Sequence, residues 1–447
     1  MTPLTAAAIL VLTLTEHLNP IQSFLRSHRT HKTAIHVQVE AASSLNDNLG
    51  TADVLRVAHG KGWINSDFAV IPCDIVTNLD GAKLAEMWMV TQASFDSDLG
   101  RRARKHKFAM DAEDGRRGGL AVWYQTMGEG AIKGQETDFV AAAPLTRPST
   151  IGNEFPDGDV GVLLTTAPTQ ALKGLNQLPI RHGMMKRHPD VKLYTTFRDA
   201  GIYFFPYWVL KFIEKNPKLN SVREDVLPWI AKSRWQNTRL AKKLGLEQIL
   251  NGEPGANTEM ESFEDAQQAY DVGSMSTART RRPEDARETF KREDVPPIVA
   301  YLPTEQSLFV RRVDTVHLYL FTSLHLAKSD PTLPATQVKI DPTAHIGEKA
   351  IVTQIDCLIA EKVSIGERCV IKKSVLGTGV SIGRGARIMG CVLMDGASVA
   401  ENAKLEGCTI GRKANIGAKV NLKDCEVADG YMVEDGGKFF FFFWLEI

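Results

Sequence analysis

From Lys339 onward the large aliphatic residues fall into three columns, each recurring every 17 residues. The first is Ile359, Leu376, Leu393, Ile410 and Val427; the second is Ile365, Ile382, Val399, Ile416 and Val433; the third is Ile371, Ile388, Leu405 and Leu422. Steps of six, six and five residues close one coil, and a partial coil of Ile340, Ile346 and Val352 precedes them at slightly longer spacing. Two places before the column residues stand further small or apolar side chains: Val363, Val380, Ala397 and Ala414, then Cys369, Ala386, Ala403 and Val420. Strand alternation puts both positions on one face. Glycine follows the aliphatic at Gly347, Gly366, Gly383, Gly411 and Gly417, where a tight corner favours a residue without a Cβ. The pattern predicts a left-handed parallel β-helix of hexapeptide repeats over residues 338–435, triangular in section, with coils stacked about 4.8 Å apart.

Ahead of the repeat, β-rich runs alternate with helical stretches: Ala34 to Val39, Phe68 to Pro72, Phe139 to Ala143, Val160 to Leu164 and Gly201 to Phe205. Such alternation predicts an α/β fold with a mostly parallel sheet covered on both faces. The apolar run from Leu4 to Leu14 has no Lys or Arg before it and Glu16 and His17 after it, so it reads as a buried strand and not a secretory leader. Ser221 and Glu224 have capping-box spacing and open a helix interrupted at Pro228. A later helix carries Val313, Val316, Leu320 and Leu324 on one stripe.

The stretch from Asn251 to Pro297 is polar and poor in large aliphatics, as expected of a mobile linker. A second polar insertion, at about 96–119, contains Arg101, Arg102, Arg104, Lys105 and Lys107; the acids Asp111, Glu113 and Asp114 follow, which favours a solvated loop over a contact for nucleic acid. The expected organisation is an α/β domain over 1–236, a linker over 237–298, a connecting helical segment over 299–337, the β-helix over 338–435 and a Phe-rich tail over 436–447. The tail has no physical account in the pattern.

Composition narrows the function. A chain of 447 residues is long enough for more than one core. Lys plus Arg and Asp plus Glu total 53 each, so no bulk field draws in a polyanion and no direct nucleic-acid partner is expected. No stretch approaches the roughly 18–20 apolar residues of a membrane helix. Five of the six cysteines lie in the repeat, and Cys357, Ser374, Cys391, Cys408 and Cys425 form one column. With no CxxC pair and no His beside them, interior packing is the expected role, and closely stacked free thiols point to the cytosol. His345 is the only His of the repeat, which argues against a trimeric acyltransferase with a catalytic His.

Three segments could carry chemistry: LGTAD at 49–53, the strand end VIPCD at 70–74, and DAGIYFF at 199–205. An Asp at the carboxyl end of a parallel strand sits where α/β sheets bind ligands, and it can hold Mg²⁺ bound to phosphates. In this order, ahead of a β-helix, the segments resemble the sugar-1-phosphate nucleotidyltransferase-like superfamily. Residues 67–77 (DFAVIPCDIVT), 195–203 (TTFRDAGIY), 221–228 (SVREDVLP), 311–315 (RRVDT) and 425–431 (CEVADGY) resemble its branch of gamma subunits of translation initiation factor two-B more than GDP-mannose pyrophosphorylases.

The resemblance implies a remnant nucleotide pocket at Leu49, Gly50, Thr51, Ala52 and Asp74. It departs in two ways. No Gly, Lys or Arg precedes Arg26, so the family's glycine-rich triphosphate loop is not found, and Cys73 replaces the glycine before the metal-binding Asp, which favours a structural Asp74. The expectation is therefore no catalytic residue, no metal and no cofactor. The branch implies a cytosolic, non-catalytic subunit of the guanine nucleotide exchange factor for initiation factor two. That subunit would pair with epsilon within a complex of alpha, beta and delta subunits, with initiation factor two as client. A GDP-mannose pyrophosphorylase-type transferase with a different start is the enzyme-class alternative.

Overall fold

The computed structural model describes residues 8–27, 36–41, 49–103, 117–127, 131–132, 135–145, 158–175, 180–251, 294–304, 308–328 and 339–440. They divide into two compact units. The first takes residues 1–72, 78–127 and 135–308, the second 73–77, 128–134 and 309–447.

The first unit opens with β1 (Ala8–Thr13), α1 (Thr15–Ser27) and β2 (His36–Ala41), with β1 and β2 paired in parallel as a sheet of their own. Then come α2 (Thr51–Gly60), β3 (Phe68–Val70), α3 (Gly81–Ala103), β5 (Leu120–Gln125), β6 (Asp138–Pro144) and β7 (Gly158–Pro168); β4 (Ile75–Thr77) lies between β3 and α3 in sequence and belongs to the second unit. The unit continues with α4 (Thr169–Leu175), α5 (His182–Arg187), β8 (Lys192–Phe205), α6 (Trp208–Lys215), a π-helical turn (Val222–Val226), α7 (Leu227–Ser233), α8 (Thr238–Lys243), α9 (Leu246–Asn251) and β9 (Val299–Pro303).

The main sheet has the order β3-β8-β5-β9-β7-β6. Parallel pairing holds for β5 with β9, whereas β8 runs antiparallel to β3, β5 and β6, and β7 antiparallel to β6 and β9. The sheet is thus mixed, and the 14-residue β8 pairs with β3, β5 and β6. Its central strands are apolar on both faces, with Leu120 to Trp123 and Val299 to Leu302 fully covered, as expected where helices flank a sheet.

The organisation read from the sequence needs revision in three places, the first being residues 96–103, assigned to the polar insertion, which continue α3. Residues 238–251, assigned to the linker, form α8 and α9, and Leu246 packs into the core. Residues 299–303, assigned to a helical connection, are instead a central strand, since five consecutive apolar positions suit a doubly covered strand. Residues 104–116 of the basic insertion, 252–293 of the linker and 441–447 of the Phe-rich tail lie outside the described residues.

In the second unit, three faces of short parallel strands stack in register every 17 residues, for example Ile371 beside Ile388 and Ile388 beside Leu405. All three aliphatic columns and the small residues two places before them form the interior. The last strand, Lys438–Phe440, extends the stack past residue 435.

The corner glycines have another cause than the sequence pattern suggested. Gly366 and Gly383 do not carry positive φ; a Cβ on either would meet the backbone of the next coil at 2.8 Å. The left-handed positions lie elsewhere, in three columns: Lys362, Gly379, Gly396, Lys413 and Gly430; Lys349, Arg368, Gly385, Asn402, Lys419 and Gly436; and Lys373, Gly390, Gly407 and Asp424. Each non-glycine there accepts about 1–2 kcal/mol of local strain, held by the ladder of hydrogen bonds on both sides.

The cysteine column is buried. Ser374, Cys391, Cys408 and Cys425 donate to the carbonyl two residues back, at 2.7 Å for Ser374 to Lys372 and 3.1 Å for Cys425 to Lys423. Cys391 N in turn donates to Ser374 Oγ at 3.2 Å. The column thus supplies acceptors for the buried N–H groups of Cys391 and Cys408.

One outward face carries Val375 and Val392, and α10 (Val316–Lys328) packs on their strands. The helix buries Leu318, Thr322 and Ala327, while Val316 is 42% exposed. The packed stripe is thus rotated from the predicted one.

Candidate functional site

The LGTA segment forms the start of α2, with Gly50 as its N-cap. Ala52 N donates to Asn220 O at 2.9 Å and Thr51 Oγ1 accepts from Val222 N at 2.9 Å. Gly50 N donates to Asp53 Oδ2 at 3.3 Å, and Asp53 is ion-paired with Arg56. The Arg56 guanidinium donates to the carbonyls of Ile213, Asn216 and Leu219, the last at 3.0 Å. Ala52 is fully buried. The segment is a joint that clamps α2 to the chain at 213–222, and one of the donors a phosphate would use is committed to Asn220.

A Cβ at Gly50 would stand 2.0 Å from Asn220 O, so the glycine is required by close approach and not by its own φ of −74°. Gly50→Ala should therefore cost about 1–3 kcal/mol as overpacking does, read as a lowered urea midpoint without any ligand present. An unchanged midpoint would return the glycine to a ligand role.

Asp74 belongs to the second unit and the LGTA segment to the first. β4 pairs antiparallel with β10 (Val310–Arg312), placing Ile75 opposite Arg312. Arg312 donates to Asp74 Oδ2 through Nε at 3.2 Å and Nη2 at 2.7 Å, and Val313 N donates to Asp74 O at 2.7 Å. Two segments that carried the family resemblance, 67–77 and 311–315, thus meet here. Asp74 Oδ1 is shielded and accepts no hydrogen bond. A single carboxylate already neutralised by a guanidinium is a poor donor set for a divalent cation, and no group of three or more His, Cys, Asp or Glu among the described residues could hold a metal ion.

The third segment leads to a site that was not legible in the sequence. Gly201, at φ +73°, lies in an irregularity where β8 passes β5. The bulge lets Asp199 Oδ1 accept from Gly201 N at 2.7 Å and Oδ2 from the Tyr203 hydroxyl at 2.8 Å. Asp138, the first residue of β6, accepts through Oδ2 from Asp199 N at 2.7 Å and through Oδ1 from Arg223 at 2.5 Å. Asp138 and Asp199 are each 1% exposed. Arg198, 3% exposed, lies 3.8 Å from Glu136 at the edge of the cluster. Arg223 comes from the π-helical turn, whose Ser221 cap accepts from Glu224 N at 3.2 Å as the capping-box spacing predicted. An acid opening an otherwise apolar strand was the available signal for Asp138, since such a residue needs a cation when buried.

Burial, and then the neighbouring Asp138 charge, push Asp199 up to about 6 from 3.8. Arg223, between the two acids, is held above its ordinary value by Asp138 and Asp199 despite burial. The folded chain therefore holds a proton on Asp199 that the unfolded chain has released between pH 4 and 6. Stability from this group is full below about 4 and falls as pH rises through 6. Asp199→Asn, which keeps an acceptor for Gly201, should remove that fall: relative to the parent the variant gains in urea midpoint from pH 4.5 to pH 7.5. A parallel pair of profiles would show that Asp199 titrates as in solvent.

Comparison with known proteins agrees with the division into units. A family model described as "GMPPB C-terminal domain" matches residues 335–436, the β-helix. The chain is 27% identical over 219 residues to "Translation initiation factor eIF2B subunit gamma" of Schizosaccharomyces pombe, covering 49% of this chain and 39% of that protein. It is 22% identical over 229 residues to the protein of the same name from Dictyostelium discoideum, covering 48% of this chain and 47% of that protein. The match thus spans less than half of either relative. The chain is thus similar to two eIF2B gamma subunits over about half of its length, and to the GMPPB C-terminal domain over residues 335–436.

Proposed function

We propose that this chain acts as a non-catalytic, cytosolic subunit of the guanine nucleotide exchange factor for translation initiation factor two. In this reading it pairs with the epsilon subunit and supports GDP/GTP exchange within the assembly that includes alpha, beta and delta. The observation that carries the proposal is the similarity to the two eIF2B gamma subunits. Side-chain chemistry supports it: Asp74, Asp138 and Asp199 are engaged by Arg312, Arg223, Tyr203 and backbone N–H groups, and the LGTA segment by Asn220 and Val222. A binding role also suits stacked coils, whose flat faces of parallel strands offer an extended surface.

The test is co-expression with epsilon. The chain alone should be poorly soluble or self-associated, and with epsilon it should elute as a heterodimer that speeds GDP release from initiation factor two. A well-behaved monomer at micromolar concentration that ignores epsilon overturns the proposal.

The GMPPB-type β-helix favours a second reading, a sugar-1-phosphate nucleotidyltransferase of the GDP-mannose pyrophosphorylase type. Pyrophosphate exchange with mannose-1-phosphate and GTP by the purified chain would establish it and displace the first.

A further inference from the structure

Helices α2 and α6 pack against each other over the core of the first unit, with Leu55 and Ala58 buried on one and Trp208, Val209 and Phe212 on the other. Along this seam three side chains form a line that neither the LGTA joint nor the Asp138–Asp199 cluster uses. Tyr207, the N-cap of α6, has its hydroxyl 3.0 Å from His59 Nε2. His59, in the last turn of α2, has Nδ1 3.3 Å from Glu214 Oε2. A carboxylate only accepts, so the neutral imidazole carries its proton on Nδ1, towards Glu214, and its bare Nε2 accepts from the Tyr207 O–H. The line therefore has the order of a nucleophile, a base and a group that orients the base.

Its surroundings hold it in place and leave it open. Tyr207 N donates to Asp67 Oδ1 at 2.9 Å, and Asp67 Oδ2 lies 3.6 Å from Arg117, which fixes the start of α6. The His59 side chain is 15% exposed and that of Glu214 59%, while Tyr207 is half-buried. One turn further along α6, the Lys211 ammonium stands 5.3 Å from the centroid of the Tyr207 ring. It places a cation beside the group on which negative charge would develop. A bond that only pinned α2 to α6 would need neither the third member nor the cation.

We propose that Tyr207 is the acceptor of a small acyl group delivered by an anionic donor, an acyl phosphate. His59 Nε2 takes the phenol proton as the bond from Tyr207 Oη to the acyl carbon forms. The bond from that carbon to the phosphate oxygen breaks, phosphate leaves with the electron pair, and His59 returns the proton to it. Lys211 attracts the phosphate. Glu214 is a positioning residue that keeps His59 in the reactive tautomer and stabilises the imidazolium. The acyl group stays on the chain, so the step is a modification and not a turnover, and it stands independently of the exchange-factor reading.

Timed exposure of the full chain, co-expressed with its partner where that is needed for solubility, to acetyl phosphate or to the uncharged ester p-nitrophenyl acetate tests this, with peptide mass mapping as the readout. Tyr319 and Tyr431, 37% and 50% exposed, are more open than Tyr207 and serve as controls within the same molecule. Tyr207 should acquire acetyl groups at least tenfold faster than either control with both donors. His59→Gln should remove that advantage, and Glu214→Gln should reduce it at least threefold with labelling of Tyr431 unchanged. Lys211→Gln should slow labelling by acetyl phosphate at least threefold and leave labelling by the uncharged ester as it was, a split that a packing defect would not produce. Labelling of Tyr207 no faster than that of Tyr319 and Tyr431 overturns the proposal, as does a phosphoryl adduct in place of an acetyl one, or labelling that His59→Gln leaves unchanged. The controls lie in the unaltered chain, so the first comparison holds whether or not a variant folds.

Discussion

Arg223→Met should cost about 3–5 kcal/mol at pH 7, the loss expected when one partner of a buried ion pair is removed and the other charge is left uncompensated. Asp138, 1% exposed, would keep only the N–H of Asp199 as a donor to its carboxylate, beside a second buried acid. Methionine fills much of the arginine stem, so packing contributes little and the effect is electrostatic. The loss should shrink toward pH 4.5, where Asp199 is protonated and one of the two negative charges is gone. Asp138→Asn on the Arg223→Met background should recover part of the stability, giving a coupling energy by double-mutant cycle. Urea midpoints at both pH values supply the measurement. A cost under about 1 kcal/mol would mean that water reaches the pair, as for surface ion pairs.

This cluster also marks where sequence reasoning stopped. The repeat was legible because one coil imposes the same steric demand every 17 residues, and Ile371, Ile388 and Leu405 meet that demand in register. The αL corners were hidden for the opposite reason: Lys362, Lys413 and Asn402 occupy positions that glycine fills in other coils, so residue type alone does not reveal the backbone.

In the α/β unit, β9 was missed because residues 299–303 follow a long polar stretch and pair with β5 and β7, far away in sequence. The LGTA, PCD and DAGIY segments were visible as motifs, but their partners Asn220, Arg312 and Asp138 come from 61 to 238 residues away along the chain for the two carboxylate contacts. A motif shows which residues matter locally. The fold decides what they touch, and here they touch backbone and counter-charges from distant parts of the chain.

The other large effect belongs to the β-helix. Ile388→Ala should lose about 2–5 kcal/mol, since the side chain is fully buried and its strand lies between Ile371 and Leu405 in adjacent coils. Each coil contacts only its neighbours, so the damage should stay near the coils on either side. Amide exchange should rise around residues 370–406 while β5 and β9 keep their protection. Arg387→Ala, in the same strand but outward, serves as the control and should fall within about 0.5 kcal/mol of the parent. The variant also bears on the proposed assembly. A partner that binds only the folded coils adds about 2.7 kcal/mol at a hundredfold excess over Kd, so epsilon should restore much of the lost midpoint if it grips this unit. Ile388→Ala with unchanged exchange in its neighbouring coils would mean that the interior repacks, and the register of the three columns would then not be what holds the stack.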